Sequence, residues 1–280
     1  MPIFDTPEPI NATVDVVVGD VSVTATERPD TVVEVRPTDP GNDRDVRAAA
    51  DTRVEYADGR LLIKAPRQQV LGLWGKPGSI DVEVLLPAGS QFRGDAAVAA
   101  FRGAGRLGEC RIKNSTGDIH LEDTGPLDAS TPSGAIVVRS VTGNATVNGS
   151  GEVRLDRIDG SAVVKNTNGD SRIGEITGDL KARAANGDIL VGLAGADVTA
   201  SSANGDVRIG QVTTGTVSIK TSNGELEVGI PAGTAAYLDL HTSFGNMHNR
   251  LDATAVPGQG EQSVEVRARD SYGDIIVRRP

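Results

Sequence analysis

The chain has 280 residues, of which 38% are hydrophobic but only 3% aromatic, so a core must be built from Val, Ile, Leu and Ala. Its net charge of -10 disfavours nucleic acids and anionic membranes as partners, because both are bound by clustered Lys and Arg. The sequence shows no secretory signal or membrane-spanning stretch, and its single cysteine, Cys110, fits a reducing compartment, so we expect a cytoplasmic protein unless a native signal peptide has been removed.

The first 95 residues are predicted to form a β-rich cap, continuous with the repeats that follow it. Asp58-Gly59 is typical of a tight hairpin turn between two strands. A short helical turn is expected over 46–50. Apolar and β-branched residues favour strands over 31–36, 52–56, 60–65 and 80–86.

An apolar cluster without strand periodicity lies between residues 68 and 79 and contains Leu73 and Trp74. Two roles are open for it. It covers the end of the core, which we favour, or it is a loop that docks a partner. Substituting Trp74 by alanine is expected to unfold the protein in the first case and to leave its stability intact in the second.

A repeated motif occupies most of the remaining chain. It consists of a polar residue, a glycine, usually an acidic residue, and then alternating apolar positions. A second glycine column lies about halfway through each repeat, so each repeat holds two short strands. Similarity recurs at the two-strand period, which favours stacked parallel coils over a hairpin meander. The leading glycines, 17 to 19 residues apart, are Gly117, Gly134, Gly151, Gly169, Gly187, Gly205 and Gly224.

The predicted fold is therefore all-β, a single-stranded parallel β-solenoid with about 18 residues per coil, right-handed by the general chirality of parallel crossovers. The repeats span 96–280, with regular coils over 114–228 and irregular coils over 229–280. Asp197 falls on an inward position, and a one-residue slip to Val198 and Ala200 restores the alternation. The charged last residues, 277–280, indicate that this end of the solenoid is protected from stacking on another copy.

Residues at one offset of a solenoid form a column on one face, and several such columns are polar here. Asn side chains recur before the leading glycines, where they favour tight turns and hydrogen-bond along a stack. Acidic residues recur after the glycines, and basic columns nearby favour mixed charge ladders on a solvated face. The alternative to this structural role is a calcium ladder, with Asp118, Asp170, Asp188 and Asp206 as its ligands.

The sequence contains no nucleophile elbow, P-loop, dinucleotide fingerprint or zinc-hydrolase motif, so we predict no catalytic residue and no cofactor. His241 and His248 have no carboxylate or thiol at ligand spacing in the sequence, which disfavours a metal pair. A carbohydrate-active β-helix that uses Asp118, Asp170 and Asp188 is an alternative, but the regular coils lack the aromatic platforms of sugar-cleaving sites.

The recurring Asn-Gly-Asp turns, the Pro-Ala-Gly junctions that begin at Pro87 and Pro231, and the closing Tyr-Gly-Asp-Ile at 272–275 resemble the bacterial β-strand-repeat domains labelled "putative adhesins". The resemblance covers nearly the whole chain. It implies a single β-solenoid with a structural or binding role, and it supplies no agreed catalytic residues.

The sequence therefore favours a non-enzymatic, adhesin-like scaffold whose flat ladder faces bind a protein or envelope-associated partner. The rival hypothesis is a self-polymerising cytoskeletal element similar to bactofilins, which needs bare apolar ends that stack. We expect no nucleic acid partner and no direct insertion into a membrane.

Overall fold

The computed structural model describes residues 1–66, 77–251 and 263–280, which form two compact units, Met1–Val138 and Arg139–Pro280. One helix, α1 (Asp43–Ala50), occurs among these residues. This helix of the described ranges does not have the length and apolar character needed to cross a membrane. Leu73 and Trp74 lie outside the described residues, so their role stays a prediction.

The first unit is built almost entirely of strands with alternating buried and exposed side chains. The eleventh strand, β11 (Ile136–Thr142), begins in this unit and ends in the second. The others are β1 (Ile3–Asp5), β2 (Asn11–Thr26), β3 (Asp30–Pro37), β4 (Arg53–Ala57), β5 (Arg60–Lys64), β6 (Ser79–Pro87), β7 (Gln91–Arg106), β8 (Cys110–Thr116), β9 (Ile119–Thr124) and β10 (Leu127–Thr131).

Parallel pairing organises the first unit, as the repeat predicted. The sixteen-residue strands β2 and β7 lie side by side, and β7 then pairs with β8 and β9. On its other edge β2 pairs in parallel with β5 and β6. Strand β2 is therefore not in the outermost coil, because β5 and β6 lie outside it. Two antiparallel strands cover the outermost coil, with β4 on β5 and β3 on β6.

The four strands predicted before residue 95 are confirmed, and so is the hairpin between β4 and β5. Asp58 and Gly59 both have positive φ angles there, 49° and 72°, as such a tight turn requires. The helix begins three residues earlier than predicted, because the Asn42 side chain caps it by accepting a hydrogen bond from the Arg44 amide.

The second unit contains the most regular coils. Its register steps from Val153 to Ser171, Ile189 and Val207, which confirms coils of about 18 residues. Its strands are β12 (Ala145–Gly149), β13 (Val153–Asp159), β14 (Ala162–Asn166), β15 (Ser171–Ile176), β16 (Leu180–Ala184), β17 (Ile189–Ala194), β18 (Val198–Ser201), β19 (Val207–Val212), β20 (Gly215–Lys220), β21 (Leu226–Gly229), β22 (Ala235–Phe244), β23 (Met247–Asn249), β24 (Ser263–Tyr272) and β25 (Ile275–Arg278).

The slip predicted at Asp197 is confirmed. Val198 pairs with Leu180 and Ala200 with Ala182, and all four side chains are buried. Asp197 is exposed instead, and its carboxylate accepts a hydrogen bond from the Thr216 amide at 2.8 Å. The extra residue in the turn thus moves a charge out of the aliphatic core.

The end of the second unit differs from the prediction. Strand β24 pairs on one side with β20 and on the other with β22, while β25 lies in the same way between β21 and β23. Strands β22 and β23 therefore form the outermost coil of the unit, and the later strands β24 and β25 form the coil next to it on the inside. The charged finish does not form the end of this unit, so that prediction was wrong.

Candidate functional site

The leading glycines lie in turns that stack closely on one another. Gly187 has a φ of +115°, and a Cβ atom added to it would lie 2.2 Å from the carbonyl oxygen of Gly169. Gly205 repeats this arrangement over Gly187, again at 2.2 Å. No side chain fits at such a distance, so these glycines are structural, and the close approach sets the spacing of the coils.

The asparagines before the glycines form a continuous hydrogen-bonded ladder on the surface of the second unit. Asn186 Nδ2 donates to Asn168 Oδ1, Asn204 to Asn186, and Asn223 to Asn204, each at 3.0 Å. The ladder starts on the Ser150 hydroxyl, which accepts from Asn168 at 3.1 Å. The predicted bonding along the stack is therefore present, and it uses the amide groups internally.

The four carboxylates of the calcium hypothesis each accept a backbone amide from the next coil. Asp170 Oδ1 accepts from the Asp188 N–H at 3.1 Å, and Asp188 Oδ1 accepts from the Asp206 N–H at 2.8 Å. Asp206 Oδ1 accepts from Glu225 at 2.7 Å, and in the first unit Asp118 Oδ1 accepts from Ala135 at 2.8 Å. These oxygens bind successive coils together, which is a structural use of the column.

Arginines neutralise the outer oxygens of the same column. Arg172 contacts Asp170 Oδ2 at 2.8 Å and Glu152 at 3.0 Å, and Arg208 contacts Asp206 Oδ2 at 2.8 Å. Within the described ranges no group of three or more His, Cys, Asp or Glu side chains is placed to hold a metal ion. The column is thus a mixed charge ladder.

We predict that the thermal melting temperature will not change when excess calcium or a chelator is added. The carboxylate repulsion that calcium would relieve is already offset by backbone amides and guanidinium groups. Differential scanning calorimetry of chelator-treated protein, with and without calcium, measures this. A stabilising shift that the chelator reverses would contradict the prediction.

A further polar column, which was not among the predicted ones, lies inside the turns. Three residues before a leading glycine, a buried polar side chain donates to the carbonyl oxygen of a stacked glycine. Asn166 Nδ2 donates to Gly151 and Gly169, both at 2.9 Å, and Thr221 Oγ1 donates to Gly205 at 2.9 Å. Thr131 and Ser202 bond in the same way in other coils, and Asn114 donates to the stacked carbonyl oxygen of Ala99 at 2.6 Å and to that of Gly117 at 3.2 Å. Their constant offset in the repeat was the available signal.

Asp270 occupies the same position before Gly273, but a carboxylate cannot donate a hydrogen bond. Its Oδ1 accepts from the Ser271 amide at 2.6 Å, whereas its buried Oδ2 has no hydrogen-bond partner. Burial raises the pKa of Asp270 above its ordinary value. The protonated carboxyl would supply the donor that this position has in the other coils.

The two histidines of the disfavoured metal pair have separate environments. His248 Nε2 lies 3.3 Å from Asp274 Oδ2, a carboxylate that is 26 residues away in the sequence. The pKa of Asp274 is lowered, mainly by the hydrogen bond from the backbone N–H of Asn246 and to a smaller extent by the contact with His248. His241 is exposed on β22. The arrangement pairs one histidine with one carboxylate and does not assemble a ligand set.

A groove crosses the outer face of successive coils in the second unit. Glycines at three equivalent positions leave its floor without side chains, and Leu190 contributes an apolar wall. Its volume is about 400 Å³. We call it the arginine groove, because its lining includes Arg154, Arg172, Arg208 and Arg278; the floor glycines are Gly174, Gly192 and Gly210.

The guanidinium groups of the groove are paired but accessible. Arg154 contacts Asp156 at 2.8 Å, and Arg278 contacts Glu227, which also lies 3.6 Å from Arg208. The four arginine side chains remain 38 to 55% exposed. Asp156 and Glu227 line the groove together with the four arginines. Glu152, Asp170 and Asp206 contact Arg172 and Arg208 beside it, so the groove lies on the mixed charge ladder.

Comparison with known proteins gives a family match and distant structural relatives. Residues 20–210 match the Toastrack DUF4097 family. No curated protein sequence matches the chain. The chain is similar to a "putative adhesin" from Bacteroides fragilis NCTC 9343, with 14% identity, a TM-score of 0.37, and coverage of 99% of this chain and 95% of that one. It is also similar to a "putative adhesin" from Parabacteroides merdae ATCC 43184, with 14% identity, a TM-score of 0.32, and coverage of 98% of this chain and 95% of that one.

Proposed function

The chain belongs to the Toastrack DUF4097 family, and we propose that it is a non-enzymatic β-solenoid scaffold that binds a protein partner through the arginine groove. The recurring Asn-Gly-Asp turns and the Pro-Ala-Gly junction at Pro87 lie inside the matched residues, whereas the junction at Pro231 and the motif at 272–275 lie beyond them. The observation that carries the proposal is the groove itself, where a glycine floor and exposed arginines coincide on one ladder face.

The chemistry of the groove favours an extended protein segment with acidic side chains. Each guanidinium presents five N–H donors in a fixed fork, and its present carboxylate contacts leave some of them for a ligand. Arginine is enriched among the residues that dominate protein interfaces, and its fork matches carboxylates well. The half-buried Leu190 adds apolar contact area between the charged positions.

A catalytic use of the acidic column is less well supported. Asp118, Asp170 and Asp188 each accept a backbone amide from a neighbouring coil, so they are committed to holding the stack. A general acid or base needs a carboxyl group that faces a substrate and exchanges its proton. These contacts support a binding role over a hydrolytic one.

A head-to-tail polymer, the rival hypothesis, requires uncovered strand edges at both stacking surfaces. In the first unit, β3 and β4 pair antiparallel with the outermost coil and occupy its edge. This cover favours a discrete scaffold over a filament. We keep the cytoplasm as the proposed compartment, since Cys110 is a free, buried thiol.

Crosslinked capture of partners from cytoplasmic and membrane fractions tests the proposal. We expect a specific protein to be captured by the wild type and lost with the double variant Arg172→Glu/Arg208→Glu. The matched control is Arg53→Glu/Arg102→Glu, which reverses two exposed, ion-paired arginines of the first unit. Identical captures with all three proteins would argue against the groove as the binding site.

A further inference from the structure

One strand edge of the second unit is unpaired among the described residues. Within the described ranges, the ten-residue strand β22 pairs with β24 and with no other strand, and β23 pairs in the same way with β25 alone. A long unpaired edge presents a row of backbone N–H and C=O groups, which natural proteins normally pair or cover. This edge therefore has the form of a docking site for another strand.

The first unit shows how this chain covers an outermost coil. Its outer strands β5 and β6 are paired antiparallel by β4 and β3, in registers that join Val54 to Ile63 and Val33 to Val84. Val33, Ile63 and Val84 are fully buried as a result. The outermost coil of the second unit also needs a partner for its backbone edge, and an antiparallel strand would provide one.

The side chains of β22 are incompletely buried for a coil of this fold. Leu238 and Leu240 are half-buried, whereas their neighbours on β24, Val266 and Ala268, are fully buried. Tyr237 is 70% exposed and Phe244 is 66% exposed, in a chain that has few aromatic residues. A partner at this edge would therefore supply apolar contacts for the leucines as well as backbone hydrogen bonds.

We propose that β22 of a second copy of this chain pairs antiparallel with β22 about a two-fold axis at Leu240. Two identical edges related by a two-fold axis run antiparallel by symmetry, so a second copy supplies the kind of strand that covers the first unit. The pairing extends the sheet and buries the half-exposed leucines of both copies. It does not depend on the arginine groove.

The side chains match in this register. Asp239 lies opposite His241 of the second copy, which sets a carboxylate against an imidazole on the outer face, although Asp239 also contacts Arg269 within its own chain. Ala236 lies opposite Phe244, a small residue against a large exposed one whose ring stacks on that of Tyr272 at a centroid distance of 5.0 Å. Both combinations occur twice in the dimer because of the two-fold axis.

Sedimentation equilibrium of the full chain tests the dimer. We expect twice the chain mass of 29.0 kDa for the wild type. His241→Asp, which sets two carboxylates opposite each other, is expected to raise the dissociation constant about tenfold, and Asp239→Lys/His241→Asp to restore it. His120→Asp makes the same change at an exposed strand position of the first unit and is expected to leave the mass unchanged.

Disulfide crosslinking tests the register. A mixture of Asp239→Cys and His241→Cys chains is expected to give a crosslinked heterodimer, and neither chain alone is expected to crosslink. Cys110 contributes little background, because it is buried and desolvation raises the pKa of its thiol to about 11. A monomeric wild type, or crosslinking of each single variant with itself, would overturn the proposal.

The Arg172→Glu/Arg208→Glu variant is expected to stay dimeric. Loss of partner binding through the arginine groove can therefore be distinguished from loss of the dimer.

Discussion

Replacing Gly187 by alanine is expected to lower the free energy of unfolding by about 3 kcal/mol. The φ of +115° is costly for any side chain, and the new Cβ would lie 2.2 Å from the Gly169 carbonyl oxygen, so the two coils must separate. Separation also weakens the ladder bonds from Asn186 to Asn168 and from the Asp188 amide to Asp170. Chemical denaturation of the wild type and the variant measures the loss.

Gly59→Ala is the matched control for this prediction. Gly59 also has a positive φ, +72°, but no atom lies within 4 Å of an added Cβ. The control therefore retains the conformational cost of a left-handed residue, about 1 kcal/mol, without a collision between coils. Equal losses in the two variants would show that close stacking at Gly187 adds nothing to the cost.

Asp270→Asn is expected to stabilise the protein by about 1 kcal/mol at neutral pH. The position belongs to the buried column in which Asn166 donates to the carbonyl oxygens of Gly151 and Gly169, and an amide would supply the donor that the ionised carboxylate lacks. The unpartnered Oδ2 atom would be replaced by a hydrogen-bonded group. Thermal denaturation of both proteins measures the gain.

The pH dependence distinguishes this effect from a change in packing. Because burial raises the pKa of Asp270 in the folded state, the folded protein binds its proton more tightly than the unfolded chain does. The contribution of Asp270 to stability is present in full below the ordinary carboxyl pKa and is lost as the pH rises through the raised value. Asp270→Asn should remove this dependence, so its advantage over the wild type should shrink in acid.

Asp274→Asn is the control of opposite sign in the same turn. The Asn246 amide and His248 lower the pKa of Asp274, so its contribution to stability is present above the ordinary carboxyl pKa and is lost in acid. We expect this variant to be less stable than the wild type at neutral pH. A stabilising effect of Asp274→Asn equal to that of Asp270→Asn would contradict the assignment of Asp270 to the donor column.

The repeat and its register could be predicted because they depend on local rules. Gly187 and its equivalents mark the turns, and strand alternation identifies the inward side, even where Asp197 interrupts it. The donor column was visible in the same spacing, since Asn166 and Thr221 stand at one offset from their glycines. It was not among the predicted columns, because the asparagines singled out were those directly before the glycines and not the residues three positions before them.

The amino-acid sequence by itself determined the parallel stacking, the coil length and the residues that share each column, because these follow from short-range periodicity repeated many times. Only the tertiary structure decided which strands are outermost. The return of β24 between β20 and β22 is a long-range pairing with no counterpart in the local pattern. It places β22 at the edge of the sheet that the described residues form, and it places the unpartnered Oδ2 atom of Asp270 inside the stack. The local pattern does not specify these features, because burial and pairing depend on which coil lies next to a residue in space.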